Sequence, residues 1–328
     1  MDVALWLWVA VVGFIVVALL LDLLVLHRDA HEVGMREAAW TSAVWIAFGL
    51  GFGAIVWAMF GPDRAGEYFA GYLIEKSLSV DNIFVFALIF SFFAVPAKYQ
   101  HRLLFWGVLG ALVFRAIFIA AGAALLGNFH WMIYVFGAFL VLTGLKMAIY
   151  RGHAADPGKN PVLRLTRRLV PMTDDYSGQR FFVRDAGRLL ATPLFAVLIA
   201  IETTDVIFAV DSIPAIFAVT SEPFLVFTSN AFAILGLRAL YFLLAGMIQR
   251  FAYLKLGLAA VLVFVGGKML LTDLYKVPVW TSLGVIAVIL AVAMAASWRR
   301  ASPSGDAPVG EMEPGDDDRD DQCRPVAM

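Results

Sequence analysis

The sequence predicts an all-α fold: a polytopic membrane helix bundle of about nine transmembrane helices, containing two inverted three-helix repeats. Three observations predict it. The apolar residues gather into long runs, Lys and Arg fall lopsidedly between those runs, and a set of charged landmarks returns along the chain. Hydrophobic residues make up 61% of the 328 positions, with a mean hydropathy of +0.82. Charges collect between the apolar stretches, a pattern that no single soluble core of this length requires.

Runs of about 20 apolar residues lie near 4–26, 40–60, 69–94, 103–126, 130–150, 191–219, 224–249, 252–272 and 278–298. The first has no basic n-region, since Met1, Asp2 and Val3 precede it, and Leu23 to Leu26 offers no small-residue cleavage site. It reads as an uncleaved helix, so 1–39 is one transmembrane helix and a cytoplasmic loop ahead of a core at 40–298. Lys and Arg divide unequally between alternate loops. One set holds Arg28, Arg36, Lys98, Arg102, eight residues from Arg151 to Arg188, then Arg250, Lys255, Arg299 and Arg300. The other holds Arg64 and Lys276. The positive-inside rule then sets the N-terminus outside and the C-terminus in the cytoplasm, with the chain in the plasma (inner) membrane.

The net charge of −1 hides two opposed segments, the basic cytoplasmic loop 151–189 and the acidic tail 299–328. The tail, with Asp316-Asp-Asp-Arg-Asp-Asp321, is too poor in apolar residues to fold and is expected to be disordered. Either segment offers a contact for protein partners, and the loop also suits anionic lipid of the bilayer. Neither resembles a nucleic-acid domain. The single cysteine, Cys323, excludes disulfides and thiolate metal sites as design elements.

The repeat is legible in three landmarks. Asp81-Asn-Ile-Phe and Asp205-Val-Ile-Phe stand 124 residues apart, Arg115 and Arg238 stand 123 apart, and Lys146-Met147 and Lys268-Met269 stand 122 apart. Three landmarks on consecutive spans, in one order and at nearly constant offset, define repeats at 69–150 and 190–272. Three spans is an odd number, so the second copy enters the membrane from the opposite face. Transporters built this way bind cargo near the bilayer midplane at the repeat interface, and Asp81 and Asp205 are expected to meet there.

Ionisable side chains at membrane depth usually face a partner, a cavity or a cargo. At about 100° per residue, Glu202 and Asp205 share one helix face, while Asp211 would point away from Glu202 on a straight helix. Pro214 offers no amide hydrogen to the carbonyl of Val210, so the helix is expected to kink or open around Asp211-Ser212-Ile-Pro214 and free an oxygen. In the first copy Glu75 shares a face with Asn82, and Ser77 with Asp81. The histidines at 27, 31, 101, 130 and 153 lie in loops or at span ends, so the interior donors are oxygen alone. Carboxylate and carbonyl oxygen suit Mg, Ca or Mn rather than copper or zinc.

The five acids Glu75, Asp81, Glu202, Asp205 and Asp211 face two central arginines, Arg115 and Arg238, read as charge partners that hold the site when empty. A static salt-bridge network is the bland alternative, and the acidic excess argues against it. Lys146 and Lys268 lie near span ends and read as interfacial anchors. No phosphate-cradling GxxxxGK[ST], nucleophile elbow or HExxH occurs, so neither ATP coupling, nor an enzyme, nor a prosthetic group is expected.

The run Ala191-Thr-Pro-Leu, the stretch Ile201 to Ala215 containing Asp211-Ser-Ile-Pro-Ala, Thr228 to Phe242 and Gly267-Lys-Met269 resemble the TerC family of integral membrane proteins. Ser77 to Phe86 is similar to that family's first acidic motif. The resemblance covers 40–298. It implies efflux of manganese, with Asp81, Asn82, Glu202, Asp205, Asp211 and Ser212 at the matching positions as metal ligands. Other members discussed as scaffolds of metal or tellurite stress complexes imply a second reading, a non-transporting module. Tellurite is an anion, and a carboxylate-rich site suits it poorly. The sequence thus points to a secondary transporter exporting a hard divalent cation, Mn2+ first among them, with exchange for protons as a natural coupling.

Overall fold

In the computed structural model the described residues are 3–21, 34–149, 161–173, 176–185, 188–244, 253–274 and 277–301. The loop between the first two spans at 22–33, residues 150–160 of the basic loop, and the tail from 302 with Cys323 lie outside them. The order is α1 (Leu5–Leu21), α2 (Met35–Phe60), α3 (Pro62–Phe92), α4 (Ala97–Asn128), α5 (Met132–Ile149), α6 (Pro161–Leu169), β1 (Phe182–Asp185), β2 (Arg188–Ala191), α7 (Pro193–Phe217), α8 (Pro223–Leu235), α9 (Leu237–Leu244), α10 (Leu254–Leu270) and α11 (Val279–Ala301).

Proline opens α3, α7 and α8 at the first helical position, where its missing amide has no partner to lose. Gly61, with φ of 85°, takes the left-handed turn that separates α2 from α3. A helix stands at each predicted apolar run. Five of them, α2, α4, α5, α7 and α11, are long and apolar enough to cross a membrane, and the bent pair α8 and α9 would make a sixth. Helices α1 and α10 are 17 residues each, and α3 carries charged side chains along its 31 residues.

The expected opening at Pro214 is corrected by the backbone. Helix α7 runs unbroken from Pro193 to Phe217. Pro214 offers no amide to the Val210 carbonyl, yet the helix continues through it to Phe217, and the amide of Ala218 bonds to the Pro214 carbonyl at 3.0 Å. The break falls in the next span instead, where α8 and α9 meet at 40° around Gly236.

Helix α3 packs against α2, α7, α8 and α11, α4 packs against α7 and α8, and α5 against α10. Close approach fixes the last pair. A Cβ on Gly266 would lie 2.7 Å from the Gly137 carbonyl, and one on Gly144 would lie 2.8 Å from that of Ala259. The two contacts run in opposite chain directions, so α5 and α10 are antiparallel with backbones touching, as small residues permit in membrane bundles. Helix α1 rests on α8 through Trp8 with Phe224 and Phe14 with Phe232.

Within the basic segment the chain forms α6 and the β1–β2 hairpin, in antiparallel register from Phe182 opposite Ala191 to Asp185 opposite Arg188. Three hydrogen bonds pin this region to the bundle end: Tyr176 to the Phe93 carbonyl at 2.7 Å, Arg102 to Gln179 at 3.2 Å, and Thr192 to the Arg180 carbonyl at 2.7 Å.

Candidate functional site

Four helices bring polar side chains to one dry centre. Glu75 of α3 is 0% exposed, Arg115 of α4 is 1%, and Asp205 and Ser212 of α7 and Asn230 of α8 are all buried. Asp205 and Ser212, two helical turns apart, share a face of α7. The Arg115 guanidinium meets Asp205 with a fork, Nη2 to Oδ1 at 3.3 Å and Nε to Oδ2 at 3.4 Å. Its Nη1 donates to Glu75 Oε1 and, at 3.2 Å, to Ser212 Oγ. Asn230 Nδ2 donates to the other Glu75 oxygen at 3.1 Å. A guanidinium presents five donors in a plane, which suits it to hold two carboxylates at once. With all three groups ionised the centre keeps one surplus negative charge.

Glu202, one turn from Asp205, adds a further carboxylate. Its Oε2 is buried and accepts no hydrogen bond. The group rests over Gly110 of α4, where an added Cβ would lie 2.0 Å from Oε1. Gly110 is therefore what lets this acid lie against α4.

The remaining candidates lie elsewhere. The expected meeting of Asp81 with Asp205 is corrected: Asp81 is paired with Lys255 of α10, at 3.8 Å. Six residues separate Asp81 from Glu75, about 9 Å along a helix, so Glu75 reaches the centre and Asp81 does not. Asn82 beside it is buried, and its Nδ2 makes no hydrogen bond. Asp211 is approached by Thr143 of α5, with Lys146 of the same helix farther off and exposed. Arg238 is buried on α9 beyond the bend, and the cation serving the central acids is Arg115. Among the described residues no group of three or more His, Cys, Asp or Glu is arranged to hold a metal ion.

Two residues of this region escape motif reading. Asn230 ends the short polar step Thr228-Ser229-Asn230, and Lys76 stands between Glu75 and Ser77. Lys76 Nζ donates to the Ala233 carbonyl at 3.2 Å, and a Cβ on Gly236 would lie 2.9 Å from it. The lysine thus fills the break between α8 and α9. The signal that finds both is general: a strong donor at membrane depth demands an acceptor.

The two ends of α3 differ. Near its start Arg64 binds Glu67 at 2.9 Å and Glu222 at 3.3 Å, and Thr220 donates to Glu67 at 2.7 Å, tying α3 to the α7–α8 connection. At the other end a cavity of about 500 Å³ is lined by Phe92, Phe93, Met172, Thr173, Tyr176, Pro193 and Ala196.

Residues 60–304 match the model of the integral membrane protein TerC family. The chain is 53% identical over 303 residues to an uncharacterized membrane protein of Myxococcus xanthus, covering 92% of this chain and 95% of that one. It is 51% identical over 294 residues to the Escherichia coli protein named "Putative membrane-bound redox modulator Alx", covering 87% and 91%. An uncharacterized membrane protein of Rickettsia bellii is 40% identical over 291 residues, covering 88% and 96%. No solved structure matches. The chain is a multi-pass membrane protein and belongs to the integral membrane protein TerC family.

Proposed function

We propose that the protein is a secondary transporter that exports a hard divalent cation, Mn2+ before others, from the cytoplasm in exchange for protons. The observation that carries this reading is the placement of Arg115. One guanidinium lies between carboxylates of α3 and α7, the two acidic helices of the sequence repeat, in a site whose other polar groups are the Ser212 hydroxyl and the Asn230 amide. A cargo cation takes over the charge that Arg115 supplies in this state. Glu75, Asp205, Glu202 and Ser212 furnish oxygen to it, and protons returning to the carboxylates restore the balance.

Helix packing supports the inverted repeat. Exchanging α3 with α7, α4 with the α8–α9 pair and α5 with α10 carries the contacts of α3 with α8 onto those of α7 with α4, and leaves the antiparallel α5–α10 pair on itself. Such symmetry is the basis of rocking transport around a fixed midplane site. In this reading all nine apolar segments span the membrane, with the N-terminus outside. The cavity at the Pro193 end then opens to the cytoplasm, and the Arg64 network closes the far end.

The experiment is flux of Mn2+ into proteoliposomes holding purified protein. Wild type and the lipid-facing variant Leu142→Ala are expected to transport, and Asp205→Asn is expected not to. Equal flux in all three, or none in wild type, overturns the reading. The name of the Escherichia coli relative raises a second reading, a redox-modulating membrane module. With one cysteine the chain has no internal dithiol couple, so that role would run through partners; unchanged cellular manganese on deletion under manganese excess would favour it.

A further inference from the structure

Outside the central site, a groove runs between α1 and α2. Its two lobes, of about 410 Å³ and 300 Å³, share Phe14 and Phe48 in their walls. We propose that this groove binds one acyl chain of an anionic glycerophospholipid whose phosphate lies at the Arg36 end. The proposal is independent of the transport reading.

The walls are apolar, from Leu7 and Ile55 at one end to Leu21 and Val44 at the other. Leu7 to Leu21 is about 21 Å along α1, longer than the roughly 15 Å half-thickness of the hydrocarbon core. A groove at this depth opens onto lipid rather than water, and leaving it empty would forfeit dispersion contacts along both helices.

Gly51 shows that the width is built in. The glycines of α2 divide their labour: a Cβ on Gly49 would strike Tyr72 at 2.6 Å and one on Gly53 would strike Phe69 at 2.3 Å, so both are needed for packing on α3. A Cβ on Gly51 meets nothing within 4 Å, and Gly51 lines the groove. Glycine is a poor helix former, and among the described residues no neighbour uses the space it leaves. A flexible chain from the surrounding bilayer does. At the Leu21 end the groove meets Trp40, which is 73% exposed, and Arg36 stands exposed one turn before it on α2. An indole and a guanidinium at the end of an apolar channel match the glycerol and phosphate of a lipid headgroup.

The test is native mass spectrometry of the full chain after delipidation and incubation with phosphatidylglycerol or phosphatidylcholine. Wild type is expected to retain one phosphatidylglycerol. Gly51→Phe, whose Cβ meets no neighbour within 4 Å and whose ring would occupy the groove, should retain either lipid at least ~5-fold less. Arg36→Gln should keep the chain site and lose the preference for phosphatidylglycerol. Should Gly51→Phe fail to fold, Ala47→Phe fills the same lobe and is judged in its place. Retention equal to wild type in the filled variant overturns the proposal. So does a retained free fatty acid, or a wild type found to be a dimer that Gly51→Phe splits into monomers, which would mean that a second copy covers the groove.

Discussion

Two acidic neighbourhoods share this bundle and differ in how their charge is met. Around Arg115, two carboxylates from different helices are sealed from solvent and held by a fork of donors, with Asn230 completing the set. Around Asp81, one partly exposed carboxylate faces Lys255 at 3.8 Å, beyond hydrogen-bonding distance. The first arrangement is stable only as a whole, since removing one member strands charge in a dry interior. The second is screened and forgiving. A site that must release a cation and then stand empty needs the first kind, with a resident positive charge to fill it.

The largest expected effect tests that contrast at its centre. Arg115→Leu should cost about 3–5 kcal/mol of stability, read as a loss of folded protein in detergent melting, and Glu75→Gln in the same chain should restore part of it. An Arg115→Leu protein as stable as wild type would mean that the acids are already neutral. Next, Asn230→Ala should cost roughly 1.5–3 kcal/mol, the range for hydrogen bonds to charged groups, while Asn230→Asp should be worse by placing a third carboxylate beside Glu75. Gly110→Ala should cost less stability, about 1–3 kcal/mol of overpacking, yet it must displace Glu202, and Mn2+ flux should fall more than melting temperature does. Smallest of all, Lys255→Ala should change stability by less than about 1 kcal/mol. A larger loss would erase the difference between the two neighbourhoods.

Much of this architecture is legible in the sequence because membranes simplify the problem. Every apolar run became a helix, and the prolines at 62, 193 and 223 open helices where their chemistry allows. The acids of the centre, Glu75 and Asp205, and their cation Arg115 are visible as charges at depth. Depth relative to a neighbour is what periodicity leaves open. Face arithmetic places Glu75 and Asp81 on α3 but says nothing of how far α3 slides along α4 and α7, and that slide sends Glu75 rather than Asp81 to Arg115. Pro214 reads as a break because its ring and missing amide disfavour a helix, whereas α7 carries on through it for one more turn to Phe217. The actual break, at Gly236, is held by Lys76 from another helix, a contact between residues 157 positions apart that no local pattern encodes.

In the proposed transport cycle the cation is carried at the Arg115 cluster and not at the Asp81 pair. The most direct measurement is Mn2+ flux into proteoliposomes by Glu75→Gln and Asp81→Asn compared side by side with wild type. Glu75→Gln should abolish flux while Asp81→Asn retains most of it. Flux that survives in Glu75→Gln and is lost in Asp81→Asn would contradict the proposed cycle.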